Sequence, residues 1–132
     1  MTKPNVPRPT DAELSILRVL WELGPSTVRR VHDVLSAERP LAYTTTLKLL
    51  QIMTEKGLTI REEQERIHVY RPSQPEEEMQ LRLVGDLLNR AFRGSAAKLV
   101  MQALATKPAS AEELRELRRL IASYSEKEKN RG

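Results

Sequence analysis

The sequence predicts a mainly α-helical protein with one small β-hairpin, ordered as three helices, the hairpin and a further helical segment. Three observations carry that prediction. Apolar residues recur at three- and four-residue spacing in three successive runs, closed by Gly24-Pro25, Arg39-Pro40 and Gly57. Two β-prone runs follow, at 58–63 and 67–71. Pro72-Ser73-Gln74-Pro75 then breaks the chain before Glu76-Glu77-Glu78, three carboxylates at the positive end of a new helix.

Each element has its own local reason. Residues 1–9 hold three prolines and few large apolar groups, so they read as a flexible N-terminal arm, weakly basic through Lys3 and Arg8. Thr10 and Glu13 form a capping box that starts the first helix, with Leu14, Leu17, Leu20 and Trp21 as its apolar stripe. Ser26 is the expected cap of the second, which buries Val28, Val31 and Leu35 and turns Arg29, Arg30 and Asp33 outward. The third runs from Tyr43 to Lys56, with Thr46, Leu47, Leu50 and Met53 inward and Gly57 as its left-handed end. Its other face carries Thr44, Lys48, Gln51 and Glu55. The hairpin turn, Gln64-Glu65-Arg66, lacks glycine and asparagine, so its flanks and position carry the assignment.

Beyond residue 72, Leu81, Val84, Leu88 and Ala91 line a fourth helix, and Gly94 interrupts it. A fifth helix from Ser95 buries Leu99, Val100, Ala103 and Leu104. Ser110 and Glu113 repeat the capping box, and Leu114, Leu117, Ile121 and Tyr124 follow at coiled-coil-like spacing. The domains are therefore expected at 1–9 (arm), 10–72, 73–126 and 127–132, the last a charged, disordered tail.

With 132 residues and 39% hydrophobic content, one compact domain and a smaller appendage are affordable, but not two large cores. No apolar run reaches membrane-spanning length and the start lacks a signal-peptide core, so a cytoplasmic protein is expected. The absence of cysteine excludes disulfides, thiolate metal sites and cysteine nucleophiles. His32 and His68 have no carboxylate at ligand-like spacing, so neither metal nor cofactor is expected. No phosphate loop, nucleophile elbow or carboxylate–histidine pair is present, and no catalytic residue is assigned. The net charge is +4, with 11 Lys and Arg against 9 Asp and Glu in each of 1–72 and 73–132. Charge balance therefore does not say which half meets a polyanion, and pattern must.

Three helices and a hairpin in residues 10–72 is the winged helix-turn-helix order, whose third helix fits the major groove of DNA. Thr44, Thr45 and Lys48 are then placed to read base edges, and Tyr43 to touch sugar or phosphate. Arg61, Arg66, His68 and Arg71 supply phosphate donors from the wing, with Arg66 and His68 on one face and Ile67 and Val69 on the other. Arg29 and Arg30 are ordinary surface residues on this reading. The competing class is a winged-helix module for protein–protein interaction, which would need an apolar outward face on the third helix.

Several stretches also match a known pattern. They are Pro9-Thr10-Asp11-Ala12-Glu13-Leu14 through Leu20-Trp21, Ala42-Tyr43-Thr44-Thr45-Thr46-Leu47, Glu55-Lys56-Gly57-Leu58 and His68-Val69-Tyr70-Arg71-Pro72. From about Pro9 to Ala122 the chain resembles the penicillinase repressor family (BlaI/MecI/CopY type). The resemblance implies a transcriptional repressor that binds palindromic operator DNA as a homodimer, with TACA/TGTA-like half-sites. It assigns base reading to Thr44, Thr45 and Lys48, and wing contacts to Arg66 and His68. It also implies relief through a membrane-bound sensor metalloprotease, by a cut between asparagine and phenylalanine in the dimerisation segment. The matching peptide is Gln102-Ala103, and neither residue fits that pattern. The cysteine motif of CopY-type members is missing, so copper sensing is not expected. Both lines of reading join at Leu81, Val84, Leu88, Leu99, Leu117 and Ile121, which three short helices bury poorly without a partner protomer.

Overall fold

Thr10 opens the first helix, α1 (Asp11–Leu23), through the expected reciprocal cap. Its hydroxyl accepts from the Glu13 amide at 3.2 Å, and Glu13 Oε1 accepts from the Thr10 amide at 2.9 Å. The computed structural model describes residues 6–131. The expected arm therefore lies outside the described residues over 1–5, Lys3 included. From Val6 onward it is anchored rather than loose, because Val6 packs against the core and its carbonyl accepts from the Arg82 guanidinium.

The second helix, α2 (Val28–Glu38), is capped by Thr27, whose hydroxyl accepts from the Arg30 amide at 3.2 Å. Ser26, the expected cap, has a different task. Its amide and carbonyl pair with the carbonyl and amide of Tyr70 at 2.9 and 2.8 Å, so its backbone is spent as a bridge that ties the α1–α2 link to the hairpin. The third helix, α3 (Tyr43–Lys56), has the expected bounds and ends on Gly57 at φ 84°.

The hairpin pairs β1 (Thr59–Gln64) with β2 (Ile67–Pro72), antiparallel, from Thr59 opposite Pro72 to Gln64 opposite Ile67. Its turn is two residues, Glu65 and Arg66, at φ 49° and 70°, rather than the three expected. Two consecutive positive φ values mark the turn type whose twist suits a hairpin, and asparagine and glycine are favoured there. Glu65→Asn is accordingly expected to stabilise the protein by about 0.5–1 kcal/mol, read as a higher melting temperature. An unchanged or lower melting point would show that the turn is not strained.

The core joins Ile16, Leu17 and Leu20 of α1, Val31 of α2, Leu50 and Met53 of α3, and Leu58 and Tyr70. Leu14 and Trp21, expected in the stripe, are only half-buried. Trp21 donates Nε1–H to the Gln74 carbonyl at 3.0 Å. The proline-rich stretch is consequently not the edge of this unit, which runs to Val84 instead of ending at 72. The fourth helix, α4 (Glu76–Ala91), supplies buried Met79 and partly buried Leu83 to the same core. Prolines signal a change of direction, whereas apolar contact decides where a core ends.

The second unit, from Gly85, holds the end of α4, α5 (Ala96–Thr106) and α6 (Ala111–Arg131). Ser95 caps α5 and a Ser110–Glu113 capping box starts α6. The tail expected to be disordered over 127–132 is helical through Arg131, the last described residue. Lys129 and Arg131 lie at the negative end of the helix dipole, and Arg131 pairs with Glu128, both of which favour continuation. Among the described residues from 85 onward, no side chain is fully buried. Leu88, Leu99 and Leu117 are half-buried, while Leu81, Val84 and Ile121 are exposed.

Candidate nucleic-acid interface

Helix periodicity splits α3 into two chemically opposite faces. Thr46, Leu50 and Met53 are fully buried, and Thr44, Thr45, Lys48, Gln51 and Glu55 face solvent. The inner face is fastened by polar as well as apolar contacts: the Thr54 hydroxyl donates to the Leu50 carbonyl at 2.9 Å and lies 3.0 Å from that of Thr59. A rigid rod with a polar outer face is thereby presented to whatever lies in front of it.

At its first turn Tyr43 is engaged from α2 on two sides. The Arg29 guanidinium lies 4.4 Å from the ring centroid, and the His32 ring meets it edge-on, centroids 5.4 Å apart. His32 Nδ1 is also 3.0 Å from Thr46 Oγ1, which satisfies a fully buried hydroxyl. Sequence reasoning passed over Arg29 because no local rule pairs residue 29 with residue 43. The only signal was its place on the outward face of the helix preceding α3.

The hairpin register sorts the wing residues. Arg61 and His68 share the face that carries Tyr70, and Ile60, Glu62, Ile67, Val69 and Arg71 share the other. His68 thus opposes Ile67 and Val69 as expected, but Arg66 sits in the turn and belongs to neither face. Arg71 donates Nε–H to Glu62 Oε1 at 2.8 Å, so part of its donor capacity is used within the hairpin. Arg61 lines a shallow hollow of about 440 Å³ with Gln51, Thr54, Glu55 and Tyr70. Arg66 and His68 are exposed. Over 59–72 the three arginines are balanced by Glu62, Glu63 and Glu65. The wing is therefore a weaker cationic surface than its arginines suggest, whereas Arg29 on α2 and Lys48 on α3 are exposed cations outside it.

Behind α3, Lys56 donates to the buried Glu13 Oε2 at 2.8 Å. Burial on its own pushes the Glu13 carboxyl up, but hydrogen bonds from Lys56 and the Thr10 amide, with the charge of Lys56, outweigh it and hold the group below the usual value. The end of α3 is thus bolted to the start of α1. Among the described residues no group of three or more His, Asp or Glu could hold a metal ion, and no helix is long and apolar enough to cross a membrane.

Comparison with known proteins shows which family the chain belongs to. A model of the penicillinase repressor family matches residues 9–123. The chain is 34% identical over 122 residues to the transcriptional regulator BlaI of Mycobacterium tuberculosis, covering 92% of this chain and 88% of that one. It is 25% identical over 125 residues to the penicillinase repressor of Bacillus licheniformis, covering 95% and 98%. Among solved structures, monomeric Bacillus licheniformis BlaI in complex with the blaP half-operator superposes with a TM-score of 0.50 at 26% identity, over 56% of this chain and 90% of that one. The DNA-binding domain of the repressor BlaI does so with 0.50 at 27% identity, over 59% and 93%.

Proposed function

The chain belongs to the penicillinase repressor family, and from that premise we propose that it is a DNA-binding transcriptional repressor, not an enzyme, that grips palindromic operator DNA as a homodimer. The observation that carries this reading is the exposed polar stripe of Thr44, Thr45, Lys48 and Gln51 on a helix whose other face is locked in the core. A threonine hydroxyl serves either base class and its methyl suits thymine, while Lys48 reaches a guanine edge or a phosphate. Arg61, Arg66, His68 and Arg71 add phosphate contacts, which raise affinity and salt dependence without sequence preference. The half-operator complex of the similar Bacillus licheniformis protein supports DNA as the ligand of this arrangement.

Dimerisation runs through α4, α5 and α6 on this reading, with Leu81, Val84, Leu88, Leu99, Leu117 and Ile121 in the shared surface. Two weak half-site modules then bind as one, and loosening the dimer releases DNA. Relief through a membrane-bound sensor metalloprotease fits this scheme. Gln102 and Ala103 lie inside α5, so a cut there requires that helix to open first.

A salt titration on a TACA/TGTA inverted-repeat duplex and on a scrambled duplex of equal length, with particle mass followed in parallel, tests the proposal. Tight, salt-sensitive, sequence-selective binding by a dimer is expected. Equal weak binding to both duplexes, with no fragment selected from genomic DNA, would favour a protein–protein interaction module instead. Thr45→Ala and Lys48→Ala are each expected to weaken operator binding by about 1–3 kcal/mol per half-site and random binding less. Arg66→Ala is expected to weaken both equally and flatten the salt slope. Equal losses on both duplexes for the α3 variants would remove them from base reading.

A further inference from the structure

An arginine on an exposed helix face ordinarily samples many rotamers, and ordering it on binding opposes affinity. Arg29 is exposed, yet it is not loose. Its guanidinium rests 4.4 Å from the centroid of Tyr43, and that ring is steadied by His32, which in turn lies 3.0 Å from the hydroxyl of fully buried Thr46. A chain of contacts therefore runs from the core through His32 and Tyr43 to a surface cation.

A guanidinium held over a ring interacts through its charge, so its N–H donors remain for another partner. Among the described residues no carboxylate lies within ion-pair distance of Arg29, whereas Arg71 spends its Nε on Glu62. The platform beneath Arg29 is in the first turn of α3, next to Thr44 and Thr45. Ala42 offers that helix end no side-chain cap, and the first turn of α3 holds no acidic residue.

Resting on the DNA reading above, we infer that Arg29 is a phosphate-binding residue of the operator interface. It clamps a backbone phosphodiester beside the bases that face Thr44 and Thr45. Tyr43 is its positioning residue, acting on DNA through the guanidinium it orients. The ligand is the phosphodiester oxygen pair, which the guanidinium fork meets with two parallel hydrogen bonds. This supplies from α2 the fixed positive charge that the balanced wing does not.

The test compares full-length wild type, Arg29→Ala and Arg30→Ala on the operator and scrambled duplexes across a salt series. Arg30 sits on the same helix and carries the same charge, but has no ring beneath it. For Arg29→Ala the slope of log affinity against log salt is expected to shrink by about 0.9 per subunit, roughly 1.8 per dimer, while the operator-to-scrambled ratio holds. Arg30→Ala is expected to leave the slope near wild type. Arg29→Gln, which keeps a planar group for the ring and removes the charge, should reproduce the slope change. The inference is overturned if Arg29→Ala and Arg30→Ala behave alike. It is also overturned if Arg29→Ala lowers the operator-to-scrambled ratio at unchanged slope, which would make Arg29 a brace for α3. Wild-type protein with no salt-sensitive operator binding would instead overturn the DNA reading itself.

Discussion

Lys56→Met is expected to destabilise the folded protein by about 1–3 kcal/mol near neutral pH, because the buried Glu13 carboxylate loses the half-buried ammonium that pairs with it. Glu13 is 1% exposed, and Lys56 Nζ at 2.8 Å is its only cationic partner among the described ion pairs. Without that partner burial is opposed only by the Thr10 hydrogen bonds, so the carboxyl rises from its wild-type value. The sign of the pH dependence follows. In wild type the folded Glu13 value is depressed. Its stabilisation is thus complete above the unfolded value, about 4.3, and is lost as pH falls through the lower folded value. In Lys56→Met the depression is reduced or reversed, so acidification should cost less or restore part of the loss. Glu13→Gln should lose stability at neutral pH and flatten the acid limb. Urea unfolding between pH 3 and 7 reads all three proteins. A Lys56→Met protein as stable at pH 7 as wild type would remove the ion pair from the forces that fasten α3.

If the chain dimerises through α6 as proposed, Ile121→Glu is expected to halve the particle mass and reduce operator affinity by ~10²-fold or more while leaving the fold intact. Ile121 is 60% exposed in the single chain, Leu120 50% and Tyr124 61%, so a carboxylate at 121 meets water and costs the lone protomer little. Buried against a second copy, the same carboxylate would be an unpaired charge in an apolar contact, at a cost of several kcal/mol. Half-site binding should survive, because α3 is untouched. Sedimentation and titration on half-site and full-site duplexes separate the outcomes. Unchanged mass with unchanged full-site affinity would exclude α6 from the proposed dimer contact and move attention to Leu81 and Val84 on α4.

The candidate interface was legible in unequal parts. The outward placement of Thr44, Thr45 and Lys48 was legible because a 3.6-residue period leaves no other place for them once Leu50 and Met53 are buried. The wing was harder. Counting its arginines overstated its charge, since the register alone reveals that Arg71 reaches Glu62. The contact of Arg29 with Tyr43 was not legible, because it joins residues fourteen positions apart along the chain.

What the sequence by itself determined was everything written in neighbouring residues: the Thr10–Glu13 and Ser110–Glu113 caps, the Gly57 stop, the amphipathic faces and the hairpin's place. Such features depend on hydrogen bonds within a helical turn and on periods of 3.6 and 2, which any stretch carries with it. Only the tertiary structure decided the rest. It set Lys56 on Glu13, Arg29 on Tyr43 and the Ser26 backbone on Tyr70, and it extended the first core from residue 72 to Val84. Those outcomes depend on which distant surfaces pack together, and packing is settled by shape and by burial of polar groups with partners, neither of which has a period along the chain.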